Sequence, residues 1–258
     1  MTVTDGGDGI ARVVLVTGAA SGIGAAVARR LAGPDTALVL TTRTNAAGLD
    51  AVAEAAKAAG SPVLTKLADL AAPGAAAGLV EAACARCGRL DQIVSNAGRA
   101  QKARFGEFGA TDLGDAFAVN TVPFHALVTA ALPMLTASAW GRVVAISSFV
   151  TQNLGVNGAF FPATAAATGA LEALARVLAL QLASAGVTVN CVAPGFTRKV
   201  GGHAALDPAA WEAAAAATPT GRLAEPADIA AAVAFLLARE AGHVTGQILR
   251  VDGGLSLR

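Results

Sequence analysis

Short runs of branched apolar residues alternate along the chain with longer stretches rich in Ala and Leu. ARVVLVTG is followed by AAVARRLAG, ALVLTTR by LDAVAEAAKAAG, and VLTKLADL by GLVEAACARCG; DQIVSNAG, GRVVAISS and VTVNCVAPG come later. Continuous apolar runs of this length suit strands buried on both faces, and the longer stretches suit helices packed over them. The pattern predicts an α/β fold: a single Rossmann-type doubly wound parallel sheet with helices on both faces. The rhythm breaks between Gly195 and Thr220, beside the end of a strand, where ligands of open α/β sheets bind; this segment, about 195–220, is expected to be a substrate lid. WEAAAAATP (211–219) within it reads as a short helix stopped by proline. Residues 1–9 read as a flexible tail and 10–258 as one domain.

The Gly-rich turn VVLVTGAASGIGAAVARRL (13–31) changes this picture from scaffold to site. Gly18 permits a tight turn, Gly22 lets backbone N–H groups approach a pyrophosphate, and Gly24 allows close helix packing, with the helix N-terminus favouring negative charge. A plain strand–helix turn is the competing reading.

Composition removes several classes of function. The 258 residues are 54% hydrophobic with formal net charge +1, which supplies a core but no basic surface for nucleic acid or an anionic membrane. The most apolar stretch, Leu171 to Val192, is broken by Glu172, Arg176, Gln181 and Asn190, so it reads as a buried helix and strand rather than a span. No secretory signal pattern opens the chain, and a cytoplasmic protein is expected. Three cysteines make no disulfide framework, and Cys84 and Cys87 sit in a helical stretch without further ligands, so packing is expected of them and no metal site.

From Arg12 to Leu255 the chain resembles the short-chain dehydrogenase/reductase family. TGAASGIG carries Gly18, Ser21, Gly22, Ile23 and Gly24; Asp69 and Leu70 match the adenine-contacting pair; Asn96, Ala97 and Gly98 match the N-A-G turn. Asn120 matches the active-site Asn, Ile146 to Ser148 the I-S-S strand end, and Pro194 and Gly195 the nicotinamide-flanking P-G, with Thr197 just beyond. GRLAEPADIAAAVAFLL and VTGQILRVDGG match the C-terminal segment. The resemblance implies a nicotinamide cofactor, a small-molecule substrate and a homotetramer or homodimer. At the end of the second strand, where a carboxylate would hold the ribose of NAD(H), stand Arg43 and Thr44, flanked by Thr42 and Asn45; this favours NADP(H) over NAD(H), the bland reading of Arg43 being a solvated charge.

In that family a Tyr-x-x-x-Lys pair on the helix after the I-S-S strand supplies the proton for carbonyl reduction, while a Ser holds the substrate oxygen. This chain has no tyrosine at all. Aligning the helix by ALEALARVLALQL puts Thr164 and Thr168 at the two positions and requires a short insertion in QNLGVNGAFFPA; counting instead from Ser148 lands near Phe161 and Ala165. Thr does not titrate in water and falls roughly 4 Å short of a tyrosine hydroxyl. Thr164 and Thr168, four residues apart on one helical face, are therefore read either as partners of a bridging water or as residues that pack the helix start. Ser148 remains to bind an oxygen and Asn120 to support a water chain, with His203, Lys102 and Lys199 as other donors, His203 first among them. Arg99, Lys102 and Arg104 in GRAQKARF suit either an anionic or thioester-linked substrate or a solvated loop.

The expected activity is an NADP(H)-dependent oxidoreductase with a non-standard site, acting on a carbonyl, iminium or activated alkene. The alternatives are a redox-neutral cyclase, isomerase or dehydratase on the same scaffold, or a non-catalytic nucleotide-binding partner protein.

Overall fold

The computed structural model describes residues 9–156, 158–198 and 208–257. Seven parallel strands form one sheet: β1 (Arg12–Thr17), β2 (Thr36–Thr42), β3 (Val63–Leu67), β4 (Gln92–Ser95), β5 (Arg142–Ile146), and two that follow a small hairpin described below. The hairpin strands are β6 (Gly155–Val156) and β7 (Ala159–Phe160); the last two sheet strands are β8 (Thr188–Pro194) and β9 (Ile248–Val251). The spatial order is β3-β2-β1-β4-β5-β8-β9, with every neighbouring pair parallel. The order reverses direction at β1 and β4, and there the crevice of a doubly wound sheet opens.

The strands divide the core by alternation. Val13 and Leu15 of β1 face one layer, with α3 (Ala75–Cys87), α5 (Val122–Ala137) and α6 (Pro162–Leu182); Val14 and Val16 face the other, with α1 (Gly22–Leu31), α2 (Ala46–Ala58) and α8 (Pro226–Leu237). Period-two alternation in a strand apolar on both sides produces this pair of cores. The remaining helices are α4 (Ala110–Asn120), which runs almost directly into α5, and α7 (Pro208–Ala217), which stops before Pro219. The stretches 110–137 and 162–185 are long and apolar enough to cross a membrane, but Phe124, Leu127, Leu135, Leu171 and Ala175 from them are buried in the core against the sheet.

At the opposite end of the sheet from the crevice, Asp91 is 1% exposed and ties three segments. Its carboxylate accepts from the Val13 amide (2.8 Å), from Arg89 Nε and Nη2 (2.9 and 2.8 Å) and from the Ser138 hydroxyl. Removing it leaves a strand amide and a hydroxyl unpaired. Asp91→Ala is expected to lower unfolding free energy by about 3 kcal/mol in urea titrations, with Asp91→Asn milder because it keeps the acceptor oxygen.

Candidate active site

β1 ends at Thr17 and the chain turns through Gly18, whose φ of +64° is the left-handed region where other residues are strained. The Ala19 amide donates to the Thr41 carbonyl of β2, which seats the turn between the two strands. Ser21 is exposed and extended, with no side-chain bond to the helix it precedes, and α1 begins at Gly22 with no acidic residue in its first turn. The first N–H groups of α1 therefore lack intrahelical and side-chain partners, which is the arrangement that receives an anion. A Cβ at Gly22 would meet nothing, whereas one at Gly24 would lie 2.3 Å from the Gly18 carbonyl oxygen and 2.6 Å from Asn96 Nδ2. Gly22 keeps the cradle open and Gly24 lets it close onto the sheet. Ile23 packs against the α1–α2–α8 core.

The other cofactor-matched residues gather along the same strand ends. Arg43 and Thr44 are exposed just past β2, next to the turn because Thr17 pairs in register with Thr41. Asn45, read in the sequence beside them as a possible phosphate partner, instead caps α2: its Oδ1 accepts from the Gly48 amide at 3.0 Å. Asp69 is exposed, its Oδ1 accepting from Ala71 N (3.1 Å), and Leu70 is half-buried. Asn96 and Ala97 are bonded to Thr17, and a Cβ on Gly98 would strike Asn120 Oδ1 at 2.6 Å. Pro194 and Gly195 are buried, the Gly195 amide donating to Val251 O, and Thr197 Oγ1 donates to the Gly195 carbonyl. These residues fit a dinucleotide: an open helix terminus for its pyrophosphate, a basic group beside the second strand, and small residues where backbones converge.

The chemical end is built differently. Ser148 lies at the end of β5 as the cap of a single 3-10 turn, its Oγ accepting weakly from Val150 N at 3.4 Å, and no acceptor for its own proton is found among the described residues. The Asn120 side chain is fully engaged, accepting from Arg99 N (2.9 Å) and donating to the carbonyls of Arg99 and Ala116 (3.1 and 2.9 Å), so any part in a water chain falls to its backbone. Thr164 and Thr168 sit in the first two turns of α6, 2% and 5% exposed. Thr164 Oγ1 accepts from the Gln101 amide (3.0 Å) and Thr168 Oγ1 donates to the Thr164 carbonyl (2.7 Å). The Thr168 proton is thus spent within its own helix, while the Thr164 hydroxyl holds the loop after β4. Phe161, the alternative alignment, caps α6 and packs with Phe149, Val150, Val156 and Leu255 beside Ala165. His203 and Lys199 lie outside the described residues.

The insertion in QNLGVNGAFFPA folds as the β6–β7 hairpin, with Gly155 paired to Phe160 and Val156 to Ala159. It is fastened to the loop after β4: Ala103 N donates to Phe160 O (3.1 Å), Arg104 Nη2 donates to Gly158 O (3.3 Å), and the Arg104 guanidinium lies over the Phe160 ring. Lys102 is exposed on the same rim. Glu172, four residues beyond Thr168, is a further residue of the site's floor. It is 5% exposed, and its Oε1 accepts from Ser147 Oγ (2.8 Å) and Thr151 Oγ1 (3.0 Å), the two hydroxyls that flank Ser148 in the chain. Its only sequence signal was a lone carboxylate inside an apolar helix.

The family model described as enoyl-(acyl carrier protein) reductase matches residues 18–256. The chain belongs to the short-chain dehydrogenase/reductase family. It is 39% identical over 246 residues to an uncharacterised oxidoreductase of Methylorubrum extorquens, covering 95% of this chain and 97% of that one. It is 38% identical to the cis-4-hydroxycyclohexanecarboxylate dehydrogenase of Sinomonas cyclohexanicum, over 94% and 96% of the two chains. Among solved structures, the angucycline C-6 ketoreductase LanV with bound NADP superposes with TM-score 0.89 at 31% identity, covering 98% of each chain. The protein is an oxidoreductase of short-chain dehydrogenase/reductase type, a family that binds a nicotinamide cofactor and acts on small molecules.

Two outcomes follow for this short-chain dehydrogenase/reductase. Gly24→Ala must displace the Gly18 carbonyl or Asn96, so it is expected to lose about 1–3 kcal/mol of stability and to weaken dinucleotide binding, measured by thermal unfolding and by titration; Gly22→Ala strains φ without a clash and should disturb binding more than folding. Burial, with the charge of Glu172 adding to it, pushes the Cys191 thiol up to about 12. A folded value above the unfolded one means the stabilising contribution is whole below about pH 9 and is lost as pH rises toward 12. Iodoacetamide at pH 8 should therefore leave Cys191 unmodified in the native protein and alkylate it after unfolding, read by mass spectrometry.

Proposed function

We propose that the protein is an NADP(H)-dependent oxidoreductase that acts on a small organic carbonyl, iminium or activated alkene without a Tyr/Lys acid. The observation that carries the reading is Arg43, exposed at the end of β2 beside the open N-terminus of α1, where no carboxylate stands to meet a ribose. A guanidinium there suits a 2′-phosphate and a free carboxylate would repel it. Gly18, Ser21, Gly22, Ile23 and Gly24 would hold the pyrophosphate, Asp69 and Leu70 the adenine, and Asn96, Ala97, Gly98, Pro194, Gly195 and Thr197 the nicotinamide half. When bound, the cofactor supplies or receives a hydride.

The chain's own contribution is Ser148, whose hydroxyl proton is free to meet a substrate oxygen. General acid catalysis is worth about 10²–10⁴-fold, so a substrate whose reduction needs little protonation fits this site best. A redox-neutral enzyme on the same scaffold is the second reading, favoured by the bonds that Thr164 and Thr168 already make. A cytoplasmic homodimer or homotetramer is part of the proposal: Val177 and Leu180 on the outer face of α6 are 65% and 83% exposed, a surface a second copy would cover.

Titration with NADPH and NADH, followed by calorimetry or nicotinamide fluorescence, tests the reading. Micromolar NADPH binding is expected, with Arg43→Ala weakening NADPH about 10- to 100-fold, the worth of a charged hydrogen bond, and leaving NADH nearly unchanged. Equal affinities that Arg43→Ala does not alter would overturn the NADP(H) preference; binding of neither would overturn the oxidoreductase reading in favour of a redox-neutral or protein-binding role.

A further inference from the structure

At the end of the sheet opposite the crevice, a recess of about 400 Å³ is lined by Arg12, Arg30, Trp140, Arg239 and Glu240, together with Leu31, Ala234 and Ala238. Its residues come from four separate elements: Arg12 opens β1, Arg30 ends α1, Trp140 precedes β5 and Arg239 follows α8. The Trp140 ring is fixed, its Nε1 donating to the Leu237 carbonyl at 3.0 Å. Against that one ring lie two guanidiniums, Arg12 at 4.8 Å and Arg239 at 4.2 Å from the centroid. A fourth guanidinium, Arg142, sits close by and is 5% exposed. Burial, and then the positive charge of Arg239, hold Arg142 below the usual arginine range; burial also lowers Arg12, offset in part by Asp35.

None of this charge is met in an ion pair among the described residues, Glu240 of the lining included. Among the described residues the ion pairs are Lys57–Glu54, Arg89–Asp91, Arg198–Glu225 and Arg222–Asp228, and none involves the recess. Arg12 donates to Thr36 Oγ1 and Gln92 Oε1, and Arg142 to backbone carbonyls, whereas the forks of Arg30 and Arg239 meet no hydrogen-bond acceptor among those residues. The C-termini of α1 and α8 favour cations nearby, which accounts for Arg30 and Arg239 singly. That effect does not bring Arg12 and Arg142 from two strands to the same place.

We propose that this recess is a binding site for a phosphate-type oxyanion, free or as a phosphate ester, held by Arg30 and Arg239 over the Trp140–Arg12 stack. Planar guanidinium forks match the oxygens of phosphate, and stacking on an indole leaves a guanidinium's N–H groups unspent. The site is separate from the dinucleotide cradle, which lies at the other end of α1.

The test uses the full chain with Trp211→Phe, so that Trp140 is the single tryptophan of the two in the sequence left to report. Inorganic pyrophosphate and glycerol 3-phosphate are titrated separately in about 150 mM NaCl while tryptophan emission is followed. A saturating change with half-saturation near or below about 1 mM, weakened at least about tenfold in both R30A and R239A, supports the site. Saturation by pyrophosphate alone assigns it to a free oxyanion, and equal or tighter saturation by glycerol 3-phosphate assigns it to an ester. Both arginines are exposed, and unchanged melting temperatures of the variants separate lost binding from lost fold. A change that does not saturate, that extra NaCl reproduces, or that survives both substitutions overturns the proposal.

Discussion

Four hydrogen bonds join the end of β1 to the end of β4, and the rest of the site is placed by them. Thr17 Oγ1 accepts from the amides of Asn96 and Ala97, and Asn96 Nδ2 donates to the carbonyls of Thr17 and Gly18. Both strands end in open crevice at this point, so the backbone groups there have no ladder partner and need one. The side-chain bonds supply it and bring the Gly-rich turn against the N-A-G turn so closely that Gly24 has no room for a methyl group. The open end of α1 and the course of the loop after Gly98 both follow from that contact.

From this fixed point the two halves of the site diverge. The cofactor half keeps small residues where backbones meet and leaves the first amides of α1 free. In the chemical half, hydroxyls and carboxylate serve the protein: Thr164 holds the Gln101 amide, Thr168 turns to its own helix, and Glu172 gathers Ser147 and Thr151. A buried carboxylate without such bonds would be costly, and here its two donors lie on either side of Ser148 in the chain. The result is a bonded support for the segment that carries Ser148.

The strands and their order of appearance were legible because a central parallel strand must be apolar on both faces, and VVLV, ALVL and VVAI have no other reading in this context. The Gly-rich turn was legible because its glycines are steric requirements. Contacts that depend on distant chain segments were not legible. Nothing local says that the Asn120 side chain bonds the Arg99 backbone, or that Arg12, Trp140 and Arg239 meet. The hairpin before α6 was visible only as surplus length between Ser148 and the helix, since its short strands carry no periodic pattern.

That hairpin is bonded to the loop that also supplies the Gln101 amide, so hairpin and helix start share one support. Thr164, which accepts from that amide, is 2% exposed. A larger side chain at so buried a position would press on its neighbours, and the loop beside it is held by Ala103 and Arg104 to the hairpin. The start of α6 and the hairpin are thereby coupled through one loop, so the effects of substitutions in the two are not expected to add.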